Sequence, residues 1–120
     1  MTRVLIVDDA VFMRTMIKDI LISAEIDIVG EASNGEEAIK KYRELSPDLV
    51  IMDIVMPVKS GIDAVHDIMA INRNARIIVC NVLGQESLVM EAIQAGAKDF
   101  VTKPFRKEKV LDVIRKVVDS

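Results

Sequence analysis

Five short apolar runs, each too short to form a helix, recur at similar intervals along the chain. They are VLIV (residues 4–7), DIVGEA (27–32), DLVIM (48–52), RIIVC (76–80) and DFVT (99–102). Each run is predicted to be a β-strand, and three of them, the first, third and fourth, are so continuously apolar that both faces must be covered. Strands buried on both faces are typical of a parallel sheet that lies between layers of helices.

A helical period of apolar residues fills every interval after a strand. The predicted inward faces are Met13, Met16, Ile17, Ile20 and Ala24, then Ala38, Ile39, Tyr42 and Leu45, then Ile62, Val65 and Met69, then Val89, Ala92, Ile93 and Gly96, and last Val110, Val113, Ile114 and Val117. Strict alternation of strand and helix predicts an α/β fold, a doubly wound five-stranded parallel sheet with helices on both faces. Strand order 2-1-3-4-5, the flavodoxin-like arrangement, fits the count best.

Length and composition predict one soluble domain over residues 1–120. The chain has a net charge of −3 with both signs spread along it, which excludes the basic stripe that direct nucleic-acid binding requires. No apolar run approaches the roughly 20 residues of a membrane span, and the acidic pair after the first strand comes too early for a signal peptide. The single cysteine, Cys80, is predicted to be a buried strand thiol, which suits a cytoplasmic protein.

Polar side chains follow the carboxyl ends of the strands, where sheets of this kind bind their ligands. The residues are Asp8 and Asp9 after the first strand, Asp53 at the end of the third, Asn81 after the fourth, and Lys103 with Pro104 after the fifth. The second strand, which this strand order places at an edge, supplies only Glu31 and the turn SNG. The first and third strands are neighbours, so their three carboxylates are expected to lie together.

The aspartates admit two interpretations. Asp8 and Asp9 could simply cap the first helix, since carboxylates there accept backbone hydrogen bonds. Three clustered carboxylates, however, repel one another by about 3 kcal/mol per pair at ~5 Å and an effective dielectric constant near 20, so a cation is expected. An all-oxygen donor set favours Mg²⁺, with Mn²⁺ as a substitute, and the sole histidine, His66, is predicted to be an exposed mid-helix residue rather than a zinc ligand.

Lys103 is predicted to complete the cleft with a positive charge. Alone, a lysine before a turn proline would be interpreted as a surface residue. Beside three carboxylates and a divalent cation, it can offset charge on phosphoryl oxygens during in-line transfer, and a carboxylate can then act as the nucleophile toward phosphorus. Asp53 is the carboxylate predicted to take that role.

The spacing of these residues closely resembles the receiver domain of two-component response regulators. The resemblance rests on Asp8-Asp9 after the first strand, on Asp53 followed by Pro57 and Gly61, and on AIQAGAKDFVTKPF from Ala92 to Phe105, and it covers essentially all 120 residues. It implies that Asp53 is the phosphoacceptor, forming a 4-aspartylphosphate with a phosphoryl group from a sensor histidine kinase. The chain would then be a signalling protein that assists its own phosphorylation and slow dephosphorylation, and not an enzyme.

The resemblance also implies roles for the residues around Asp53. Asp9 matches a direct Mg²⁺ ligand, Asp8 a ligand acting largely through water, and Val55 the residue whose backbone carbonyl completes the metal shell. Lys103 matches the lysine that contacts the phosphoryl group, and its peptide bond to Pro104 is expected to be cis. The residues alone would favour trans.

The sequence departs from the family pattern in two respects, at the reporting hydroxyl group and at the residues around the attacking water. Asn81 stands where a Thr or Ser hydroxyl usually reports phosphorylation, although its partner, an aromatic residue on the fifth strand, is present as Phe100. An amide can donate a hydrogen bond, but it is longer than a hydroxyl group. Val55 and Leu83 stand where side chains flank the attacking water, and neither can orient it, which predicts slow loss of phosphate.

Within the family, the chain resembles the single-domain receivers that act in chemotaxis. That resemblance implies a CheA-like histidine kinase and a motility switch or adaptor protein, bacterial or archaeal, as partners of a monomer. The expected output surface is the fourth helix, fifth strand and fifth helix, with exposed parts of Gln85–Gln94, Phe100 and Arg106–Lys109.

Alternative functions use some of the same features. In an altered receiver, natural or engineered, Asn81 would uncouple phosphorylation from output. An aspartyl-nucleophile phosphatase of the haloacid dehalogenase type would need a second acid where Val55 stands. A flavodoxin-like FMN carrier would need a Ser/Thr/Gly-rich phosphate loop in place of DDAVF and aromatic residues to sandwich the flavin ring, of which the chain has three phenylalanines and one tyrosine. A dinucleotide site would need a glycine-rich turn that this sequence does not contain.

Overall fold

The computed structural model describes residues 2–120 as alternating strands and helices. The elements are β1 (Arg3–Val7), α1 (Val11–Ser23), β2 (Asp27–Ala32), α2 (Gly35–Leu45), β3 (Leu49–Asp53), α3 (Gly61–Ile71), β4 (Ile77–Asn81), α4 (Glu86–Ala95), β5 (Asp99–Thr102) and α5 (Lys107–Asp119). All five strands are parallel, in the order β2-β1-β3-β4-β5. The predicted doubly wound sheet and its strand order are therefore confirmed.

Strand bounds agree with the prediction to within one residue. β2 and β5 have the predicted bounds, whereas β3 and β4 each begin and end one residue later than predicted. The shift includes Asp53 and Asn81 in the strands, where ladder hydrogen bonds fix their backbones. Both side chains are thus presented by the rigid sheet and not by a loop.

Residues of each central strand alternate between two hydrophobic cores. On one side, strand residues such as Leu5, Val50 and Val79 pack with α2, α3 and α4. On the other, residues such as Ile6 and Ile51 pack with α1 and α5. Each fully buried aliphatic side chain contributes roughly 1.5–3 kcal/mol, so the continuously apolar strands are the main source of stability.

The predicted inward faces of the helices are only partly correct. The face of α5 is confirmed, but α1 buries Ile17 and Leu21 while Met13, Met16 and Ile20 are half-buried. α3 buries Gly61, Ala64, Val65 and Ile68, and in α4 Ile93 is 37% exposed. The cause is that α1, α3 and α4 carry apolar residues on several faces, so the apolar period alone does not select the buried one.

Two further predictions concern single residues and membrane segments. Cys80 is a free, buried thiol, as predicted, and burial raises its pKa above the ordinary value. His66 is exposed in the middle of α3, also as predicted. Among residues 2–120, no helix is long and apolar enough to cross a membrane.

Candidate metal and phosphoryl site

Parallel strands bring the three aspartates to one edge of the sheet. Val7 pairs with Met52 in the β1–β3 ladder, so Asp8 and Asp53 extend side by side from neighbouring strands. Asp8, Asp9 and Asp53 each present a carboxylate oxygen within 4.8 Å of the others. The three aspartates thus form the predicted acidic cluster, although Asp8 and Asp53 lie 45 positions apart in the chain.

Asp8 is buried, and both of its carboxylate oxygens accept hydrogen bonds. Its backbone N–H donates to the carbonyl of Ala32 (3.1 Å), and its Oδ1 accepts from the N–H of Ala10 (2.9 Å). Ala10 is the N-cap residue of α1, so the bond from Ala10 to Asp8 closes the turn before the helix and leaves the N–H groups of its first turn without a side-chain cap. The acidic-cluster interpretation therefore holds for Asp8, whereas the capping interpretation is wrong, because no side chain caps α1 and its first turn contains no acidic residue.

Asp53 is a largely buried carboxylate whose surroundings disfavour its charge. Its side chain is 13% exposed, and its Oδ2 lies 3.4 Å from Lys103 Nζ. Burial, together with the negative charges of Asp8 and Asp9, raises the pKa of Asp53 to about 6, against the opposing attraction of Lys103. One ammonium group therefore does not neutralise this site, and a further cation would stabilise the ionised carboxylate.

Lys103 reaches the cluster from the loop after β5. Its ammonium group donates a hydrogen bond to Asp8 Oδ2 at 2.9 Å, and its side chain is 14% exposed. Burial alone would lower the pKa of Lys103, but the bond to Asp8 and the charges of Asp53 and Asp8 raise it above the ordinary value. The lysine is therefore a permanent positive charge. The Lys103–Pro104 peptide bond is cis.

Asn81 ends β4, the strand next to β3, which ends at Asp53. Its side chain is buried and accepts a hydrogen bond from Thr102 Oγ1 (3.2 Å), while its Nδ2 donates to the carbonyl of Val82 (3.2 Å). The backbone carbonyl of Asn81 accepts from the N–H of Lys103 (2.7 Å). Thr102, which the sequence did not single out, is thus a direct partner of Asn81. Phe100, two residues earlier on β5, is 42% exposed.

The loop between β3 and α3 is anchored against Asp53. Gly61 donates its N–H to the carbonyl of Ile54 (2.8 Å), and a Cβ at Gly61 would lie 2.1 Å from the backbone oxygen of Asp53. Lys59 forms ion pairs with Glu36 of α2 (3.2 Å) and with Asp67 of α3. Only a glycine permits α3 to begin this close to the end of β3, and the close approach holds Asp53 in place.

Val55 and Leu83 lie in the two loops that flank the cluster. Val55 is 52% exposed and Leu83 is 83% exposed, and neither side chain carries a polar atom. The apolar side chains at these positions can exclude water but cannot hold it by a hydrogen bond.

Sequence reasoning missed one charged residue that contacts the site. Arg14 of α1 donates through Nη1 to the backbone carbonyl of Asp8 (2.6 Å) and through Nε to Glu31 of β2 (3.0 Å). Lys18 contacts the second oxygen of Glu31 (3.0 Å). The available signal was the pair of basic residues at positions i and i+4 of α1, but which strand it faces depends on the fold.

The donor set suits a small, hard divalent cation. Its side-chain donors are three carboxylates, one of them on an exposed residue that leaves room for water, and none is a thiolate or imidazole. Oxygen donors of this kind are typical of Mg²⁺ and Mn²⁺ sites, in which the ion keeps several waters. The residues present therefore fit the cation that the sequence predicts.

Comparison with known proteins gives consistent results. Residues 4–115 match the family model of the response regulator receiver domain. Chemotaxis protein CheY of Thermotoga maritima is 57% identical over 115 residues, which span 96% of each chain. CheY of Bacillus subtilis is 56% identical over 117 residues, which span 98% of each chain.

A solved structure shows the same fold. In the crystal structure of the CheX–CheY–BeF3–Mg²⁺ complex from Borrelia burgdorferi, the matched chain superimposes with a TM-score of 0.92 at 40% identity. The match covers 97% of this chain and 88% of that one. The closeness of these relatives favours a signalling receiver over an altered one.

Proposed function

Because the chain belongs to the response regulator receiver domain family, we propose that Asp53 is its phosphoacceptor and that phosphorylation there controls a chemotaxis output. One observation carries the assignment. Asp53 is the carboxylate that the central strand β3 presents, largely buried, beside the ammonium group of Lys103 and the carboxylates of Asp8 and Asp9. It is held for reaction by the sheet and by the close approach of Gly61.

The proposed reaction transfers a phosphoryl group from a phosphohistidine to Asp53. An oxygen of the carboxylate attacks phosphorus, the P–O bond forms in line with the breaking P–N bond, and the electron pair and a proton remain with the imidazole. Lys103 stabilises the negative charge on the phosphoryl oxygens from its position 3.4 Å from Asp53. The chain thus assists its own modification without turning over a substrate.

Asp8, Asp9 and Asp53, with the backbone carbonyl of Val55, would hold Mg²⁺, or Mn²⁺ in its place. When bound, the ion supplies positive charge that offsets the charge of the phosphoryl oxygens. Asp8 already accepts hydrogen bonds from Ala10 and Lys103, which suits a ligand that acts largely through water. Asp9 is exposed and suits a direct ligand.

Asn81 and Phe100 are proposed to transmit the signal. The backbone carbonyl of Asn81 accepts a hydrogen bond from the N–H of Lys103. The side-chain amide of Asn81 can donate a hydrogen bond to a phosphoryl group in place of its bond to Val82. The hydrogen bond that Thr102 donates to Asn81 would then break or change direction. Phe100, exposed on β5, lies on the proposed output surface formed by α4, β5 and α5.

The proposed partners follow from the relatives. A CheA-like histidine kinase would supply the phosphoryl group, and a motility switch or adaptor protein would bind the output surface. The Borrelia burgdorferi relative forms a complex with CheX, which supports the binding of a partner protein by this chain as well. The protein is proposed to act as a cytoplasmic, monomeric, single receiver domain.

Intact-mass analysis tests the proposal. The protein is incubated with a small acyl phosphate in Mg²⁺ and, separately, in EDTA. A gain of one phosphoryl group is expected in Mg²⁺ and not in EDTA, and Asp53→Ala should show none. Absence of any gain in the wild-type protein, or an undiminished gain in Asp53→Ala, would refute the assignment.

A further inference from the structure

Arg14 makes two hydrogen bonds that link the edge strand to the acidic cluster. Nη1 donates to the backbone carbonyl of Asp8 at 2.6 Å, and Nε donates to Glu31 Oε1 at 3.0 Å. The Arg14 side chain is 16% exposed and that of Glu31 is 35% exposed, so both bonds are partly shielded from water. From these contacts we infer that Arg14, oriented by Glu31, is a positioning residue that sets the geometry of the cation-binding carboxylates.

The bond to Asp8 acts on both neighbouring aspartates. The carbonyl of Asp8 belongs to the peptide unit that joins Asp8 to Asp9, and this unit is planar. A donor that fixes the carbonyl therefore fixes the direction in which the chain leaves Asp8 and, with it, the backbone from which the Asp9 side chain projects. The Asp8 side chain is held separately by Ala10 and Lys103, so Arg14 acts mainly on the direction of Asp9.

Glu31 determines where the guanidinium group lies. Its two carboxylate oxygens accept from different cations, Oε1 from Arg14 and Oε2 from Lys18, each at 3.0 Å. The hydrogen bond from Lys18, supported by that from Arg14, lowers the pKa of Glu31 against the effect of partial burial. Glu31 is therefore an anionic anchor on β2 for the arginine on α1.

Geometry and charge make opposite predictions for Arg14. A positive charge near a cation site repels the cation, so removing Arg14 should tighten cation binding if charge alone mattered. If Arg14 positions the carboxylates, the same removal should weaken binding. A lysine keeps the charge but cannot reach two acceptors with a planar fork, so it separates the two effects.

This inference rests on the proposed cation site, and the test separates failure of the positioning role of Arg14 from failure of the cation site itself. Mn²⁺ affinity is measured by electron paramagnetic resonance and Mg²⁺ affinity by competition, for wild type, Arg14→Lys, Arg14→Gln and the matched control Lys18→Gln. Lys18 shares the partner Glu31 but makes no bond to Asp8. Urea unfolding of each protein shows that the folded state is being compared.

Both Arg14 variants are expected to bind the cation about 10-fold more weakly, because residues that orient ligands typically contribute 10–100-fold. Lys18→Gln should bind as tightly as the wild type or slightly more tightly. Equal or tighter binding in Arg14→Gln and Arg14→Lys would overturn the inference. If Arg14→Gln does not fold, Arg14→Lys decides the question, whereas a wild type that binds no Mn²⁺ would refute the cation site itself.

Discussion

The ammonium group of Lys103 donates a hydrogen bond of 2.9 Å to the carboxylate of Asp8, a residue 95 positions earlier in the chain. The same group is 3.4 Å from Asp53. In the cation-free protein, therefore, Lys103 is the counter-ion that offsets repulsion among the three carboxylates. Lys103 has a second proposed role, because it must also contact the phosphoryl group on Asp53.

Replacing Lys103 should accordingly change metal affinity and phosphorylation in opposite directions. In Lys103→Gln, the ammonium charge that repels the metal ion is lost. The affinity for Mg²⁺, measured by calorimetry, should therefore rise about 10-fold. The rate of phosphorylation by an acyl phosphate should fall by about 10² or more, because a preorganised charged donor is removed. Lys107→Gln, the same change at an exposed residue of α5, should alter neither. Unchanged phosphorylation in Lys103→Gln would show that the lysine does not contact the phosphoryl group.

The raised pKa of Asp53 predicts a pH-dependent stability. Between the ordinary value of 3.8 and about 6, the folded protein holds this proton while the unfolded chain has released it, so the contribution of Asp53 to stability falls as pH rises through this range. Asp53→Asn removes the effect. In EDTA, the variant should match the wild type below pH 4 and exceed it by about 2 to 3 kcal/mol at pH 7, at roughly 1.36 kcal/mol per pKa unit.

Urea unfolding of both proteins between pH 3 and pH 8 measures this difference. Asp19→Asn, which changes an exposed aspartate of α1, is the matched control and should show no such gain. A wild type as stable as Asp53→Asn at pH 7 would mean that Asp53 is not destabilised by its surroundings.

Gly61 should be intolerant of any side chain. A Cβ there would lie 2.1 Å from the backbone oxygen of Asp53 and 2.9 Å from Cα of Ile54, both parts of the backbone, which cannot rotate away. Gly61→Ala should lower the free energy of unfolding by about 3 kcal/mol and displace the phosphoacceptor. In Gly30→Ala, the new Cβ would meet Cδ1 of Leu45 at 2.7 Å, the end of a flexible side chain. That variant should lose about 1 kcal/mol or less, and equal losses in the two variants would contradict the account.

The phosphorylated protein should lose its phosphate slowly. Val55 and Leu83 are exposed and apolar, so neither can orient a water molecule for attack on phosphorus. The phosphoprotein, followed by intact mass, should persist for minutes or longer, and Val55→Asn should shorten its half-life about 10-fold by supplying an amide beside the phosphate. Val58→Asn, at an 80% exposed valine of the same loop, is the control. A half-life of seconds in the wild type would contradict this prediction.

The sequence predicted the parts of the fold that depend on local pattern. Continuous apolar runs located the five strands, and the carboxyl-end rule placed Asp8, Asp9, Asp53 and Lys103 at one edge. The buried faces of α1 and α4 were less predictable, since those helices carry apolar residues on several sides.

Contacts between distant parts of the chain could not be predicted from the sequence. The bonds of Arg14 to Asp8 and of Thr102 to Asn81 depend on side-chain directions in the folded protein. The close approach of Gly61 to the Asp53 carbonyl likewise requires the observed position of α3. These contacts determine how firmly each functional group is held, and this is the part that the sequence pattern leaves undetermined.

Locating the phosphoryl group in the chain tests directly whether Asp53 is the phosphoacceptor. The protein is phosphorylated with an acyl phosphate in Mg²⁺, treated with borohydride, which reduces an aspartyl phosphate to homoserine, and digested for peptide mass spectrometry. Homoserine is expected at position 53, with Asp8 and Asp9 unmodified. Homoserine at position 8 or 9, or its absence from position 53 in protein that has gained the phosphoryl mass, would contradict the assignment of Asp53 as the phosphoacceptor.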